Sequence, residues 1–195
     1  MQLTLVVPNL GNFGKDNFYN RQELGMAKAL QDFGFDPVVI NFDAALPDDV
    51  VHDRFNGIEM LRLRARALGS HGIVTSPTLH KYLRGPVVAF SDLQLVVPSI
   101  ARVCRAKGVS VFPYIGTVSN VGNRRNALGE FCLRRNLRVF RSRRCYAKTE
   151  SLKLQLQALG CTDVGVLPVG LDWSHLSENR AADQIKAREA LGVQP

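Results

Sequence analysis

Residues 145–172 read CYAKTESLKLQLQALGCTDVGVLPVGLD, and this stretch decides the fold. The short apolar piece at 145–147 predicts the end of a strand. Thr149 is placed to cap a following helix, and Glu150 is placed to favour that helix's dipole. The helix carries leucines at spacings of four and three, which puts them on one face: Leu152, Leu156 and Leu159.

The second half of this stretch returns the chain to a sheet. Gly160 ends the helix, and residues 164–167 predict a second buried strand that Pro168 and Gly170 terminate. Two strands joined by one helix with short connections form a βαβ unit. The two strands should therefore lie parallel in one sheet that is covered by helices.

Length and composition indicate one folded domain. The 195 residues are enough for one well-buried α/β domain and few for two, and 46% hydrophobic and 22% charged residues are ordinary for a soluble protein. The longest apolar run, residues 93–101, contains Gln94 and Pro98, so no membrane span is predicted. Residues 3–7 predict a first strand, with no basic segment or cleavage site of a signal peptide.

The cysteines indicate neither a metal site nor a disulfide framework. They are widely separated, and neither a CxxC pair nor a Cys/His cluster with zinc spacing is present; they are Cys104, Cys132, Cys145 and Cys161. We interpret them as reduced core thiols of a cytosolic protein.

Six or seven strands alternate with helices along the chain. Besides the two strands above, strands are predicted at 3–8, 37–42, 58–63, 86–90 and 109–114. Residues 43–56 are predicted as a loop with a helical turn, and 67–84 are ambiguous apart from a helix near 76–83. The fold class is therefore α/β: a Rossmann-like, doubly wound, mostly parallel sheet with helices on both faces.

Ligands of such sheets bind at the carboxyl ends of strands, near the topological switch point. The first loop there could hold an anion against backbone N–H groups or could be only a tight strand-to-helix turn. Its candidate binding residues are Gly11, Asn12, Phe13, Gly14, Lys15 and Asn17.

Three further loops lie at this edge of the sheet. Asp92 could accept a proton or bind sugar hydroxyls, or it could be an N-cap for a helix that Pro98 either kinks or starts near residue 97. Lys148 and Glu150 could form an ion pair or line a cleft floor. Tyr114 could contact a substrate or only pack. The remaining candidate binding residues are Ser91, Gly116, Thr117 and Thr149.

Positive charge is concentrated in one segment. Twelve Lys or Arg residues lie between Arg102 and Lys148, and Glu130 is the only acid among them. The helix predicted at 126–143 could be a solvated face, or it could bind anionic lipid headgroups or phosphates through Arg134, Arg138 and Arg141. Nucleic acid is a disfavoured partner because aromatic residues are only 8% and no recognised binding motif is present.

These motifs resemble the N-terminal domain of GT-B-fold glycosyltransferases, especially the retaining family 4 group. Residues 146–150, 156–160 and 166–172 look like that family's passage of strand, helix, Leu-x-x-x-Gly and V-I-P-N-G-V-D, and residues 188–193 are similar to the R-x-x-L-G-I that follows. The chain departs from the pattern in carrying Lys148-Thr149 where the family has serine and Val169 where it has Asn.

The resemblance implies an acceptor-binding domain at residues 1–180. Residues 181–195 would be a helix, at 181–191, and a linker leading to a C-terminal domain or subunit that binds the nucleotide-sugar and carries an E-x7-E motif. Sugar would pass from the nucleotide-sugar to a glycan- or lipid-linked acceptor, as in polysaccharide biosynthesis, and the chain alone would be inactive. The resemblance implies no cofactor beyond this co-substrate and no metal.

On this interpretation, Asp92 and the 115–117 loop face the acceptor, and the loop at 11–14 approaches the donor phosphates. The expected location is cytoplasmic, peripheral on the cytoplasmic membrane face. The alternative is a non-catalytic Rossmann-like module that uses its basic face to bind a phosphorylated ligand or a protein partner.

Overall fold

The structure, a computed structural model, describes residues 1–10, 22–118 and 127–169. Strands and helices alternate through these residues. The strands are β1 (Gln2–Val7), β2 (Asp36–Asp43), β3 (Val50–Phe55), β4 (Ile58–Arg64), β5 (Arg66–Leu68), β6 (His71–Ile73), β7 (Val87–Phe90), β8 (Val111–Ile115), β9 (Cys145–Ala147) and β10 (Val164–Val166). The helices are α1 (Gln22–Asp32), α2 (Ser76–Tyr82), α3 (Val97–Ala106), α4 (Ala127–Phe140) and α5 (Glu150–Ala158).

Eight strands form one sheet in the order β10-β9-β8-β7-β1-β2-β4-β3. Every neighbouring pair in it is parallel except β3 with β4. The chain runs from β1 to β2 on one side and later returns to place β7 on the other side of β1. The switch point of the sheet therefore lies between β1 and β7, and the predicted fold class is confirmed.

Side chains alternate across the sheet and divide the core into two layers. In β2, Val39 packs with Leu24 and Ala27 of α1. Its neighbours Val38 and Ile40 face the opposite layer, which also holds Leu79 of α2 and Ile100 of α3. The same layer continues toward β9, where Val97 of α3 packs with side chains of α4 and α5. Helices thus cover both faces of the sheet.

The βαβ unit predicted at 145–172 is present as β9, α5 and β10. Val164 pairs with Cys145 and Val166 with Ala147 in a parallel ladder. Leu152 and Leu156 are buried. The hydroxyl of Thr149 accepts a hydrogen bond from the backbone N–H of Leu152 at 3.2 Å, so Thr149 is the N-cap of α5 as predicted.

Replacing Thr149 with alanine is expected to lower the free energy of unfolding by about 1 kcal/mol, because the first turn of α5 loses its side-chain acceptor. Thr149→Ser retains a hydroxyl and should lower the free energy of unfolding by only a few tenths of that loss of about 1 kcal/mol. Urea denaturation of the two variants measures the difference. Equal losses for both would show that the cap hydrogen bond is not the source of the effect.

The prediction of a loop and helical turn at 43–56 is wrong, since this segment contains β3, an edge strand that forms an antiparallel hairpin with β4. The two residues between them, Asn56 and Gly57, have φ of 48° and 81°. Two consecutive positive φ values match the turn that joins tightly twisted hairpin strands. β3 is largely exposed, so it lacks the apolar pattern of a buried strand.

The ambiguous segment at 67–84 contains a second hairpin and a helix. β5 and β6 pair antiparallel as a separate two-stranded sheet. The helix expected near 76–83 is α2, and the hydroxyl of its N-cap, Thr75, accepts from the Thr78 N–H at 3.4 Å.

The helix after β7 begins at Val97 with Pro98 in its first turn, which agrees with the later of the two predicted starts. Its N-cap is Val96, which makes no side-chain cap hydrogen bond. The interpretation of Asp92 as an N-cap is therefore wrong. Residues 91–96 form a separate loop at the end of β7, and within it Leu93 has a φ of 49°.

Several predictions fall outside the described residues. These are the binding loop of Gly11, Asn12, Phe13, Gly14, Lys15 and Asn17, the strand terminator Gly170, and the helix at 181–191 with the boundary at residue 180.

Candidate functional site

The carboxyl ends of β7, β8 and β9 bring three of the predicted site residues together. Asp92 lies two residues after β7, Gly116 follows β8 directly, and Lys148 follows β9 directly. These strands are neighbours in the sheet, and β7 borders the switch point at β1. This edge is where doubly wound sheets bind their ligands. We call Asp92, Gly116 and Lys148 the β-edge site.

Asp92 is the centre of the β-edge site. Its Oδ1 accepts a hydrogen bond from the backbone N–H of Gly116. Its Oδ2 lies 3.5 Å from the Nζ of Lys148. The Asp92 side chain is 35% exposed and that of Lys148 is 17% exposed. A carboxylate has about four lone-pair sites, so Asp92 keeps acceptor capacity for a ligand hydroxyl.

Lys148 is fixed from two directions. Its backbone N–H donates to the carbonyl oxygen of Ile115 at 3.0 Å, which continues the β8–β9 pairing past the strand end. Its Nζ lies 5.2 Å from the ring centroid of Tyr114, within cation–π range. The ammonium group is thereby held between an aromatic ring and a carboxylate.

Gly116 makes this approach possible. A Cβ atom at this position would lie 2.8 Å from Lys148 Nζ and 3.0 Å from Asp92 Oδ1. Both distances are too short for ordinary van der Waals contact. Because Gly116 has no side chain, Lys148 can approach Asp92 while Asp92 also accepts the hydrogen bond from the Gly116 N–H.

Tyr114 forms the floor of the β-edge site. Tyr114 is fully buried, and its ring packs edge-on against the ring of Phe90 with 5.0 Å between the centroids. Its hydroxyl has no hydrogen-bond partner among the described residues. Burial, and secondarily the nearby Asp92 carboxylate, raises the pKa of Tyr114 to about 12, so the hydroxyl stays protonated at neutral pH. Of the two predicted roles of Tyr114, packing in the core agrees with this burial, whereas direct contact with a substrate would need an exposed hydroxyl.

The other predicted site residues have local structural partners. Ser91 is fully buried, and its hydroxyl donates to the carbonyl oxygen of Ala89 at 2.7 Å. The Thr149 hydroxyl caps α5. Glu150 pairs with Lys153 at 3.3 Å, so the structure does not show the Lys148–Glu150 ion pair that was one interpretation. Thr117 is half-buried beside Gly116.

A buried polar pair under the 91–96 loop was not predicted. Asn136 of α4 is fully buried, and its Nδ2 donates to the backbone carbonyl of Gln94 at 3.1 Å. The side-chain carbonyl oxygens of Asn136 and Gln94 have no partner among the described residues. Two sequence signals could have found this contact: Gln94 interrupts an apolar run, and Asn136 stands beside Leu137 on the inward helix face.

The basic helix is α4, and its arginines differ in their contacts. Arg134 pairs with Glu130 at 3.2 Å. The Nε of Arg141, just past the helix end, donates to the carbonyl oxygen of Leu159 at 2.8 Å and so ties α4 to the end of α5. Arg138 is exposed and has no acidic partner among the described residues.

All four cysteines are buried and free, as predicted. Burial first, and then the neighbouring Cys161 and Asp163, raises the pKa of Cys145 to about 12, which makes this thiol a poor nucleophile at neutral pH. Within the described ranges, no group of three or more His, Cys, Asp or Glu residues is placed to hold a metal ion. No described helix has the length and apolarity needed to cross a bilayer.

No family model and no curated protein matches the chain. Two solved structures of sucrose-phosphate synthase from Thermosynechococcus elongatus do match, each at 11% identity and each over 99% of this chain. One match has a TM-score of 0.52 and covers 100% of the other chain. The second has a TM-score of 0.60 and covers 53%, so this chain spans about half of that protein.

At 11% identity the likeness concerns the fold. The chain shares with these structures the Rossmann-like α/β architecture that its sequence predicted. Residue roles do not follow from this match and are argued from the β-edge site itself.

Proposed function

We propose that this chain is the acceptor-binding half of a GT-B glycosyltransferase. The observation that carries the proposal is the convergence of Asp92, Gly116 and Lys148 at the sheet edge beside the switch point. The whole-length likeness to sucrose-phosphate synthase and the family 4 motifs support it. The reaction would move a hexose from a nucleotide-sugar to a hydroxyl of a glycan- or lipid-linked acceptor.

Asp92 would receive the acceptor. Its carboxylate is part-exposed, and the N–H of Gly116 orients one of its oxygens. A carboxylate in this position accepts hydrogen bonds from sugar hydroxyls and can take the proton of the attacking hydroxyl. Lys148 would be a positioning residue, because its ammonium group restricts the Asp92 side chain to one orientation.

The donor would be bound mainly by a second domain or subunit with the E-x7-E motif. Stabilising the departing nucleoside diphosphate is the main electrostatic task of sugar transfer. Within this chain, the loop at 11–14 would approach the donor phosphates. The nucleotide-sugar is a co-substrate, and we propose no resident cofactor. The corresponding location is the cytoplasmic face of the membrane, in polysaccharide biosynthesis.

These 195 residues alone are expected to transfer no sugar from any nucleotide-sugar donor, because the proposed donor-binding half lies outside them. A donor and acceptor screen by mass spectrometry tests this. The same screen should detect transfer when the chain is joined to, or mixed with, a Rossmann-like donor half that carries E-x7-E and is encoded downstream or nearby. Robust transfer by the 195 residues alone would contradict the half-enzyme proposal.

The second candidate is a non-catalytic module that binds a phosphorylated ligand or protein partner through its basic face. The unpaired charge of Arg138 on α4 favours it. The genomic neighbourhood separates the two candidates. A stop codon after residue 195, with no donor domain encoded nearby, would support the module and remove the main support for the enzyme.

A further inference from the structure

The outer face of α4 combines an exposed aromatic ring with several cations. Phe131 is 52% exposed, and it is followed at intervals of three, four and seven residues by arginines on the same helical face. We call this set the α4 surface: Phe131, Arg134, Arg135 and Arg138. The opposite face of the helix is anchored in the core by Cys132, Asn136, Leu137 and Phe140. The α4 surface therefore lies on a helix whose opposite face is held in place by the core.

The positive charge of the α4 surface is mostly uncompensated. Glu130 pairs with Arg134 at 3.2 Å and is the one acid in the α4 sequence. The guanidinium of Arg135 lies 5.4 Å from the Phe131 ring centroid, in cation–π contact. Neither Arg135 nor Arg138 forms an ion pair within the described part of the chain. At least two cations are thus available to external anions.

We propose that the α4 surface binds the anionic headgroups of a lipid bilayer. Arginines attract acidic lipids, and an aromatic ring among them can enter the interfacial layer, where aromatic side chains are favoured. This surface is a helix face with one exposed ring and lacks the row of stacking aromatics that single-stranded nucleic acid requires. The proposal concerns a different surface from the β-edge site and does not depend on sugar transfer.

Vesicle co-sedimentation of the 195-residue chain tests this surface. Vesicles of phosphatidylcholine with 30% phosphatidylglycerol should pellet the protein at low salt, whereas pure phosphatidylcholine should not. The triple variant Arg134→Gln, Arg135→Gln, Arg138→Gln should partition about 125-fold more weakly, since each of the three cations near an acidic surface contributes roughly fivefold. Added salt should weaken the wild-type binding.

The matched control removes the same charge elsewhere. Lys28, Arg54 and Arg66 are exposed, form no ion pair within the described residues, and lie on α1, β3 and β5. The triple variant Lys28→Gln, Arg54→Gln, Arg66→Gln should keep most of the vesicle binding. If both triple variants lose binding equally, net charge rather than the α4 surface is responsible. Equal binding of the wild type to neutral and acidic vesicles would also overturn the proposal.

A second pair of variants tests the aromatic residue. Phe131→Ala should weaken partitioning into acidic vesicles about fivefold to tenfold, because the interfacial aromatic contact is lost. Phe33→Ala removes an equally large ring that is 81% exposed at the end of α1 and should have no effect. Circular dichroism checks that each variant is folded. Equal effects of the two changes would contradict a specific role for Phe131.

Discussion

Replacing Gly85 with alanine is expected to lower the free energy of unfolding by about 3 kcal/mol, from two separate sources. Gly85 has a φ of 58°, in the left-handed region that costs an alanine about 1 kcal/mol or more. The new Cβ would also overlap the backbone carbonyl oxygen of Gln2 in β1. A backbone atom inside a parallel ladder cannot rotate away as a side chain can.

The position of Gly85 explains why that overlap is costly. The turn before β7 is joined to β1 by the backbone bond from Thr4 N–H to Pro86 O at 2.9 Å. The Thr4 hydroxyl adds a bond to the Arg84 carbonyl at 2.5 Å and accepts one from the Arg84 N–H at 3.0 Å. Moving the turn would therefore disturb the β1–β7 pairing at the centre of the sheet.

Gly34→Ala is the matched control. Gly34 has a φ of 79°, but no heavy atom lies within 4 Å of the position its Cβ would take. This variant should lower the free energy of unfolding only by the cost of a left-handed φ for alanine, about 1 kcal/mol. Urea denaturation with an unchanged m-value gives both losses. Losses of equal size would show that Gln2 moves aside freely and that the overlap carries no cost.

The sequence predicted most of the parallel sheet because its strands are apolar on both faces and its helices have clear ends. Residues 38–40 of β2, buried on both faces, are an example, and Thr149 as a cap and Gly160 as a stop mark the ends of α5. The edge strand β3 and the β5–β6 hairpin were missed since they bury little of either face. The signal in 50–64 was Asn56-Gly57, a dipeptide suited to two successive positive φ values, and not hydrophobic alternation.

The sequence predicted which loops carry the candidate site. It did not predict the contacts among Asp92, Gly116 and Lys148. Pro98 left two alternatives, a kinked helix or a helix start near residue 97, and only the later start, which the structure has, leaves Asp92 too far away to be the cap. What the sequence could not supply is the register between β7, β8 and β9, because that register depends on long-range packing. It is this register that brings Asp92 to Gly116, 24 positions away, and to Lys148, 56 positions away.

Asp92→Asn is expected to lower kcat/KM for the acceptor about 100-fold in the assembled enzyme, with little loss of stability. The substitution keeps an oxygen for the Gly116 N–H but removes the charge that attracts a hydroxyl proton. The pair with Lys148 is 3.5 Å long and part-exposed, so its loss should cost the fold under about 1 kcal/mol. Steady-state kinetics with the donor and acceptor found by screening measures the effect.

The control for charge removal is Asp49→Asn. Asp49, like Asp92, forms an ion pair, here with Arg64 at 3.1 Å, but its side chain is 84% exposed and it precedes the edge strand β3. Its substitution should leave kcat/KM unchanged within about twofold, as is usual for an exposed ion pair. A large effect at Asp49 would mean that the assay responds to net charge and not to the β-edge site.

Two further variants separate contact with the acceptor from positioning. Lys148→Met removes the cation, and Gly116→Ala introduces a Cβ 2.8 Å from where Lys148 Nζ lies. Each should lower kcat/KM about tenfold, because Asp92 then retains its charge but loses its fixed orientation. Adding Lys148→Met to Asp92→Asn should cause little further loss, since residues in one contact act together. Fully additive losses would show that Lys148 contacts the substrate independently, and an unchanged rate for Asp92→Asn would place the acceptor contact outside the β-edge site.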